Sequence, residues 1–270
     1  YPWLVSYFGI VQSGNVAVQL DVSLPMEEMC ELIDRSDAVA LVVDEIRKDV
    51  MLAAKQKCPK LRYLISMQKE VSDEEALSFG ALLKEHKGSY DYKPNPEDLA
   101  TIMFTSGTTG KSKGVMLTHR NMAENATCFD MKFPERSVLL TVLPIHHAYC
   151  LSMDILKGLS LGSIICINDS LIRMAKNIKL FQPNVILMVP LMIETMAKKL
   201  QDVAGLPPEI VKREVFGEQF HTICSGGAYL PPAMLDLFAT YGIDILQGYG
   251  MTECAPVIST TMSWNIKKGS

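Results

Sequence analysis

The chain has 270 residues, 48% of them apolar and 21% charged, with a formal net charge of −4 and an isoelectric point near 5.8. That composition is globular and supports a sizeable core, while the acidic balance excludes a bulk electrostatic pull towards nucleic acid. The longest strongly apolar stretch, 185–193, is interrupted by Pro190 and falls far short of the ~20 residues of a membrane-spanning helix.

In chain order, β-branched runs alternate with segments of helical period. A strand is predicted at 16–20, a helix at 26–35, a strand at 38–43, a helix at 45–57 and a strand at 63–66. After the turn-rich stretch YDYKPNPED at 90–98 come a strand at 100–105, a helix at 121–131, and strands at 138–142 and 163–167. Asn168, Asp169 and Ser170 mark a turn into another helix; a strand at 185–189, a helix at 191–201, a strand at 220–224, a helix at 232–241 and a strand at 243–247 complete the series. Such alternation predicts an α/β fold of mostly parallel sheets covered by helices. The proline-rich stretch is expected to join an N-terminal lobe, 1–95, to a second lobe, 96–270.

Seven cysteines lie scattered, none at C-x-x-C spacing and most in apolar surroundings such as SIICIND and HTICSGG. They are expected to be reduced thiols of a cytoplasmic protein and not a disulfide or metal framework. The opening YPWLVSYFG has neither a basic n-region nor a cleavage site, so no secretory leader is expected. The final WNIKKGS reads as neither a finished helix nor a finished strand, which suggests a fragment boundary.

The segment TSGTTGKSKG at 105–114 follows the strand LATIMF and combines glycines, hydroxyls and two lysines with no acid. Glycines let backbone N–H groups approach an anion, hydroxyls add neutral donors, and lysines add charge without fixed geometry, so the loop suits a polyphosphate. It is not a Walker loop: the position that needs the first glycine holds Thr105, and the segment leads into an apparent strand at 115–117 instead of a helix.

FTSGTTGKSKGVMLTHRN resembles the phosphate-loop signature of the acyl-adenylate-forming superfamily of acyl-CoA synthetases, luciferases and peptide-synthetase adenylation domains. Ser112 stands where that family usually has proline, a change expected to loosen the loop slightly. Further segments match in the family's order: GIVQSGNVAVQLDVSLP, with Gln19 for the usual proline; LPIHHAY; CSGGAYLPP; and QGYGMTE. The LPIHHAY region and the segments after it look closer to fatty-acyl-CoA synthetases than to amino-acid adenylators. The resemblance implies the large N-terminal domain of such an enzyme, without the C-terminal domain that carries the catalytic lysine.

What the resemblance implies chemically is activation of a carboxylic acid, a fatty acid by its nearest likeness, to acyl-AMP with release of pyrophosphate. Transfer to coenzyme A then follows, with ATP and Mg²⁺ required and no nucleic-acid partner. Thr105, Ser106, Gly107, Thr108, Thr109, Gly110, Lys111 and Lys113 would hold the β- and γ-phosphates. Gly226, Gly227 and Ala228, after a strand, would let the adenine lie against the backbone, with Gly248 and Tyr249 beside it. Thr252 would contact the α-phosphate and Glu253 would coordinate Mg²⁺, a hard cation that prefers carboxylate and phosphate oxygens. His147 would orient the attacking carboxylate. The alternatives are an adenylation module that loads a carrier protein and a non-catalytic nucleotide-binding protein.

Overall fold

In the computed structural model the described residues are 1–68, 76–105, 111–129, 133–201, 203 and 205–268. The chain divides into two units, Tyr1–Arg120 and Asn121–Ser270.

The first unit contains α1 (Pro2–Gln12), β1 (Ala17–Gln19), α2 (Met26–Arg35), β2 (Ala40–Val43), α3 (Lys48–Lys57), β3 (Tyr63–Ser66), β4 (Leu77–Ser78), α4 (Phe79–Glu85), β5 (Leu99–Thr105) and β6 (Lys113–Thr118). Strands β2, β3 and β4 form one parallel sheet; β1 pairs parallel with β5, which pairs antiparallel with β6. Helix α2 is set by charge and pattern together. Glu27 and Glu28 lie in its first turn and Arg35 in its last, each favourable to the helix dipole. Met29, Cys30 and Ile33 are buried on its inner face, in one core with Val50 and Ala54 of α3. The break expected at 90–98 does not part the units: β5, after it, hydrogen-bonds to β1, before it, and so returns the chain to the same sheet.

Next in sequence is α5 (His119–Thr127), followed by β7 (Val138–Thr141), a π-helical segment Cys150–Leu156 continued by α6 (Lys157–Ser160), β8 (Ile164–Ile167), α7 (Met174–Phe181) and β9 (Val185–Met188). Then come α8 (Pro190–Gln201), α9 (Pro208–Val215), β10 (Thr222–Ser225), α10 (Pro232–Ala239), β11 (Asp244–Gly250) and β12 (Val257–Thr260). The sheet order is β12-β11-β10-β9-β7-β8, parallel throughout except for β12. The α/β fold with mostly parallel sheets is therefore the one expected.

All four residues of β9 and of β10 are buried, as central strands covered on both faces must be. Alternation sorts their side chains. Ile186, Met188, Ile223 and Ile245 join a core with Ile193 and Met196 of α8 and Phe238 of α10. Val185, Leu187, Cys224 and Leu246 join a second core with Leu139 and Met153. Among the described residues no helix is long and apolar enough to cross a membrane.

The helix predicted at 121–131 instead begins at His119 and closes at Thr127, and residues 130–132 lie outside those described. The elements not predicted are α1, β4, α4, the π-helical segment with α6, α9 and β12.

Candidate active site

Strands β7, β9, β10 and β11 run in one direction, so the segments that follow them leave the sheet at one edge. In open parallel sheets that carboxyl edge is where ligands bind. His147 follows β7, Gly226 to Ala228 follow β10, and Gly248 to Glu253 end β11 and continue past it. Gly226 is buried, and a Cβ added to it would lie 3.1–3.3 Å from the Tyr149 ring. A side chain there would make the tyrosine ring give way by a few tenths of an ångström, so glycine suits this close approach. Tyr149 also donates a hydrogen bond to the Cys224 carbonyl at 3.2 Å, tying the segment after β7 to β10. His147 is exposed, with its ring centroid 4.3 Å from that of His146.

Tyr249 is 65% exposed, so its aromatic face is open and is not spent on core packing. Gly248, Tyr249 and Gly250 pair with Thr260, Ser259 and Val257 across a bulge between Tyr249 and Gly250. A Cβ on Gly250 would collide with the Pro256 carbonyl, so this tight return needs glycine. The 3₁₀ turn Thr252–Cys254 crosses the return, with Thr252 half-buried and Glu253 exposed.

Two side chains outside the motifs hold that turn. Asn125 of α5 donates to the Cys254 carbonyl at 3.0 Å and the Val257 carbonyl at 2.8 Å, and accepts from the Val257 N–H at 3.2 Å. Buried Ser152 donates to the Ala255 carbonyl at 2.8 Å, where Ala255 holds a left-handed φ of 68°. An alanine there is strained unless its surroundings fix it, and Ser152 supplies such a constraint.

Beneath this edge lies a cavity of about 20 Å³ lined by Tyr149, Met153, Leu187, Cys224, Leu246 and Gly248, among others. It has room for one water. Behind its wall, on the π-helical segment, Asp154 is fully buried. Among the described residues its Oδ1 has no partner, and its Oδ2 accepts only from the Cys150 thiol, at 3.8 Å. Burial pushes its carboxyl well above the usual carboxylate range, only partly offset by the Cys150 contact. Burial also raises the Tyr149 phenol and Cys150 thiol, and with Asp154 nearby it pushes Cys224 up to about 12. These thiols are therefore un-ionised and poor nucleophiles. All seven cysteines are free.

In the first unit β5 and β6 form an antiparallel hairpin in which Thr105 faces Lys113. The loop between them thus joins two strands, which a Walker loop does not. Lys111 and Lys113 are exposed and Thr105 is half-buried, while Ser106, Gly107, Thr108, Thr109 and Gly110 lie outside the described residues. Ser112, where the family usually has proline, makes two hydrogen bonds of its own. Its hydroxyl donates to Glu28 at 3.1 Å and its carbonyl accepts from Arg35 at 3.0 Å.

The sheet of the second unit accordingly brings His147, Gly226, Gly227, Ala228, Gly248, Tyr249, Thr252 and Glu253 to one edge, while Thr105, Lys111 and Lys113 belong to the hairpin of the first. Tyr149 closes the LPIHHAY segment but was given no role there, and Asn125, Ser152, Glu28 and Arg35 had no motif to mark them. Glu253 is a lone exposed carboxylate: among the described residues no group of three or more His, Cys, Asp or Glu could hold a metal ion. That suits Mg²⁺, which binds through one or two carboxylates and the phosphates of its substrate, and it suits no all-protein cage.

The model of the family described as AMP-binding enzyme matches residues 1–270. A long-chain-fatty-acid–CoA ligase of Escherichia coli is 26% identical, over 96% of this chain and 50% of that protein. Long-chain-fatty-acid–CoA ligase 5 of Rattus norvegicus is 28% identical, over 96% of this chain and 46% of that protein. The chain thus spans about half the length of the curated relatives it matches. Among solved structures, the anthranilate CoA ligase AuaEII in complex with anthranoyl-AMP superposes with a TM-score of 0.83 at 20% identity, over 99% of this chain and 50% of that one. At that identity the likeness concerns the fold.

Proposed function

The chain belongs to the AMP-binding enzyme family, and from that premise we propose that the protein containing it activates a carboxylic acid with ATP to an acyl-adenylate and passes the acyl group to coenzyme A. The relatives named as long-chain-fatty-acid–CoA ligases favour a fatty acid as substrate. The observation that carries this reading is the carboxyl edge of the second unit. There an open tyrosine face, two close-approach glycines, a hydroxyl and a carboxylate converge above an apolar cavity.

In the first half-reaction a carboxylate oxygen attacks the α-phosphorus of ATP and the bond to pyrophosphate breaks. An anion approaches an anion, so catalysis rests on positioning and on neutralising charge. Tyr249 stacks on the adenine, and Gly226, Gly227 and Ala228 leave room for its flat ring. Thr252 donates to an α-phosphate oxygen. Thr105, Lys111 and Lys113, with Ser106 to Gly110 by sequence alone, serve the β- and γ-phosphates. His147 orients the attacking carboxylate. Glu253 would hold a Mg²⁺ ion whose charge offsets that of the phosphates. In the second half-reaction the coenzyme A thiol attacks the acyl carbonyl and AMP leaves.

The test is ATP–pyrophosphate exchange by the full-length protein over a panel of carboxylic acids, followed by thioester formation with coenzyme A. Exchange that depends on a fatty acid is expected. If no acid promotes exchange the reading fails, and if exchange occurs but only a carrier protein accepts the acyl group, the coenzyme A half fails.

A further inference from the structure

Ser112 lies between Lys111 and Lys113, the two lysines read above as phosphate contacts. It is tied by hydrogen bonds to a distant element. Arg35, the last residue of α2, donates from Nη2 to the Ser112 carbonyl at 3.0 Å. Glu28, one end of the same helix away, accepts from the Ser112 hydroxyl at 3.1 Å. One peptide unit is thereby held at both its side chain and its carbonyl by residues seven apart on one helix. The helix is itself fixed, since its opposite face is buried in the core shared with α3.

Arg35 is held in turn. Its guanidinium lies 5.8 Å from the Phe104 ring centroid, over β5 of the hairpin, and its Nη1 is 3.5 Å from Glu31. A planar guanidinium that stacks on one strand and donates to the chain leading into the next constrains the hairpin as a lysine could not. Glu28 costs something electrostatically, because it puts a carboxylate beside a loop meant for anions. A hydrogen bond that merely filled space would not need that charge, whereas one that fixes the serine rotamer against Arg35 does need a strong acceptor.

We propose that Glu28 and Arg35 are positioning residues that clamp Ser112 and so preset the backbone carrying Lys111 and Lys113 for the nucleotide phosphates. The proposal rests on the phosphate role of those lysines. Neither residue touches the nucleotide, and the clamp acts before binding, by removing loop conformations that binding would otherwise have to remove. Its signature is therefore a raised KM for ATP with kcat little changed.

The experiment is acid-dependent ATP–pyrophosphate exchange by the full-length protein and its variants. Arg35→Ala should raise KM for ATP about tenfold, the effect of one charge-assisted hydrogen bond, with kcat within about twofold of wild type. Ser112→Ala, which removes only the donor to Glu28, should raise KM about threefold. Adding Ser112→Pro to Arg35→Ala should restore most of the affinity, because the ring fixes φ without needing a partner. A merely structural role predicts no such rescue. Unchanged KM in Arg35→Ala, an equal fall in kcat, or failure of the proline to rescue would each overturn the proposal. Absence of exchange in wild type would instead refute the adenylation reading itself.

Discussion

Replacing Asp154 by asparagine should change how the protein's stability depends on pH, and in a direction its burial dictates. The carboxyl is fully buried, one of its oxygens has no partner among the described residues, and burial holds it protonated well above its ordinary value of 3.8. In the unfolded chain it ionises above that value. The unfolded chain therefore sheds a proton that the folded chain keeps, and rising pH favours unfolding. The contribution is fully present below 3.8 and is lost progressively as pH climbs towards the raised folded value. Its slope is about 1.4 kcal/mol per pH unit. The amide of Asp154→Asn has no proton to exchange, so that slope disappears. Its second N–H adds a donor whose burial costs about 1–3 kcal/mol, but that offset is independent of pH. Urea unfolding at about pH 5, 6 and 7 separates the two, because every other titrating group is common to both proteins. The variant should gain on wild type as pH rises, by at most about 1.4 kcal/mol per pH unit for as long as the folded carboxyl keeps its proton. Cys150, Cys224 and Tyr149, all raised by burial, do not titrate there and leave the comparison clean. Parallel stability curves would show that the folded carboxyl is ionised and would refute the reasoning.

Asn125→Ala removes three hydrogen bonds to the segment carrying Thr252 and Glu253. It should cost about 2 kcal/mol of stability and raise KM for ATP in the exchange assay; unaltered kinetics would make Asn125 purely structural. Gly226→Ala puts a methyl 3.1–3.3 Å from the Tyr149 ring, which should destabilise by about 1–3 kcal/mol, with Tyr149→Leu relieving most of it. A double-mutant cycle that finds the two changes additive would count against that contact. Glu253→Gln should lower adenylation about 10²–10³-fold while sparing thioester formation from supplied acyl-adenylate, since pyrophosphate has already left. Equal losses in the two half-reactions would remove its metal role.

The strands of the second unit were legible because central strands are largely apolar: VILM is a short apolar run, and the strand that ends in TICS has Phe220, Ile223 and Cys224 with a β-branched threonine before a glycine pair. The glycine-rich ends of β10 and β11 stood out for the opposite reason: nothing apolar fills them, so a ligand was the natural reading. The π-helical segment was hidden because CLSMDIL is buried nearly all round and shows no single stripe. Strand β12 was missed because a four-residue strand with two exposed members carries little pattern. Asn125 and Ser152 reach residues more than a hundred positions away, and no local spacing encodes such a contact. Ser112 is a further case: its hydrogen-bond partners lie on a helix some eighty residues earlier in the sequence, where no local pattern points.

The alternation of side chains along β9, β10 and β11 has an evolutionary consequence. Ile186, Ile223 and Ile245 belong to the core built with α8 and α10, while their chain neighbours Leu187, Cys224 and Leu246 line the cavity. Adjacent codons thus answer to different selective pressures. A change at Leu187, Cys224 or Leu246 alters the second core and its cavity, while the helix-backed core on the other face keeps its contacts. Two cores are thus inherited on alternate letters of the same short words, so a single substitution falls on one of them and leaves the other to hold the strand in place.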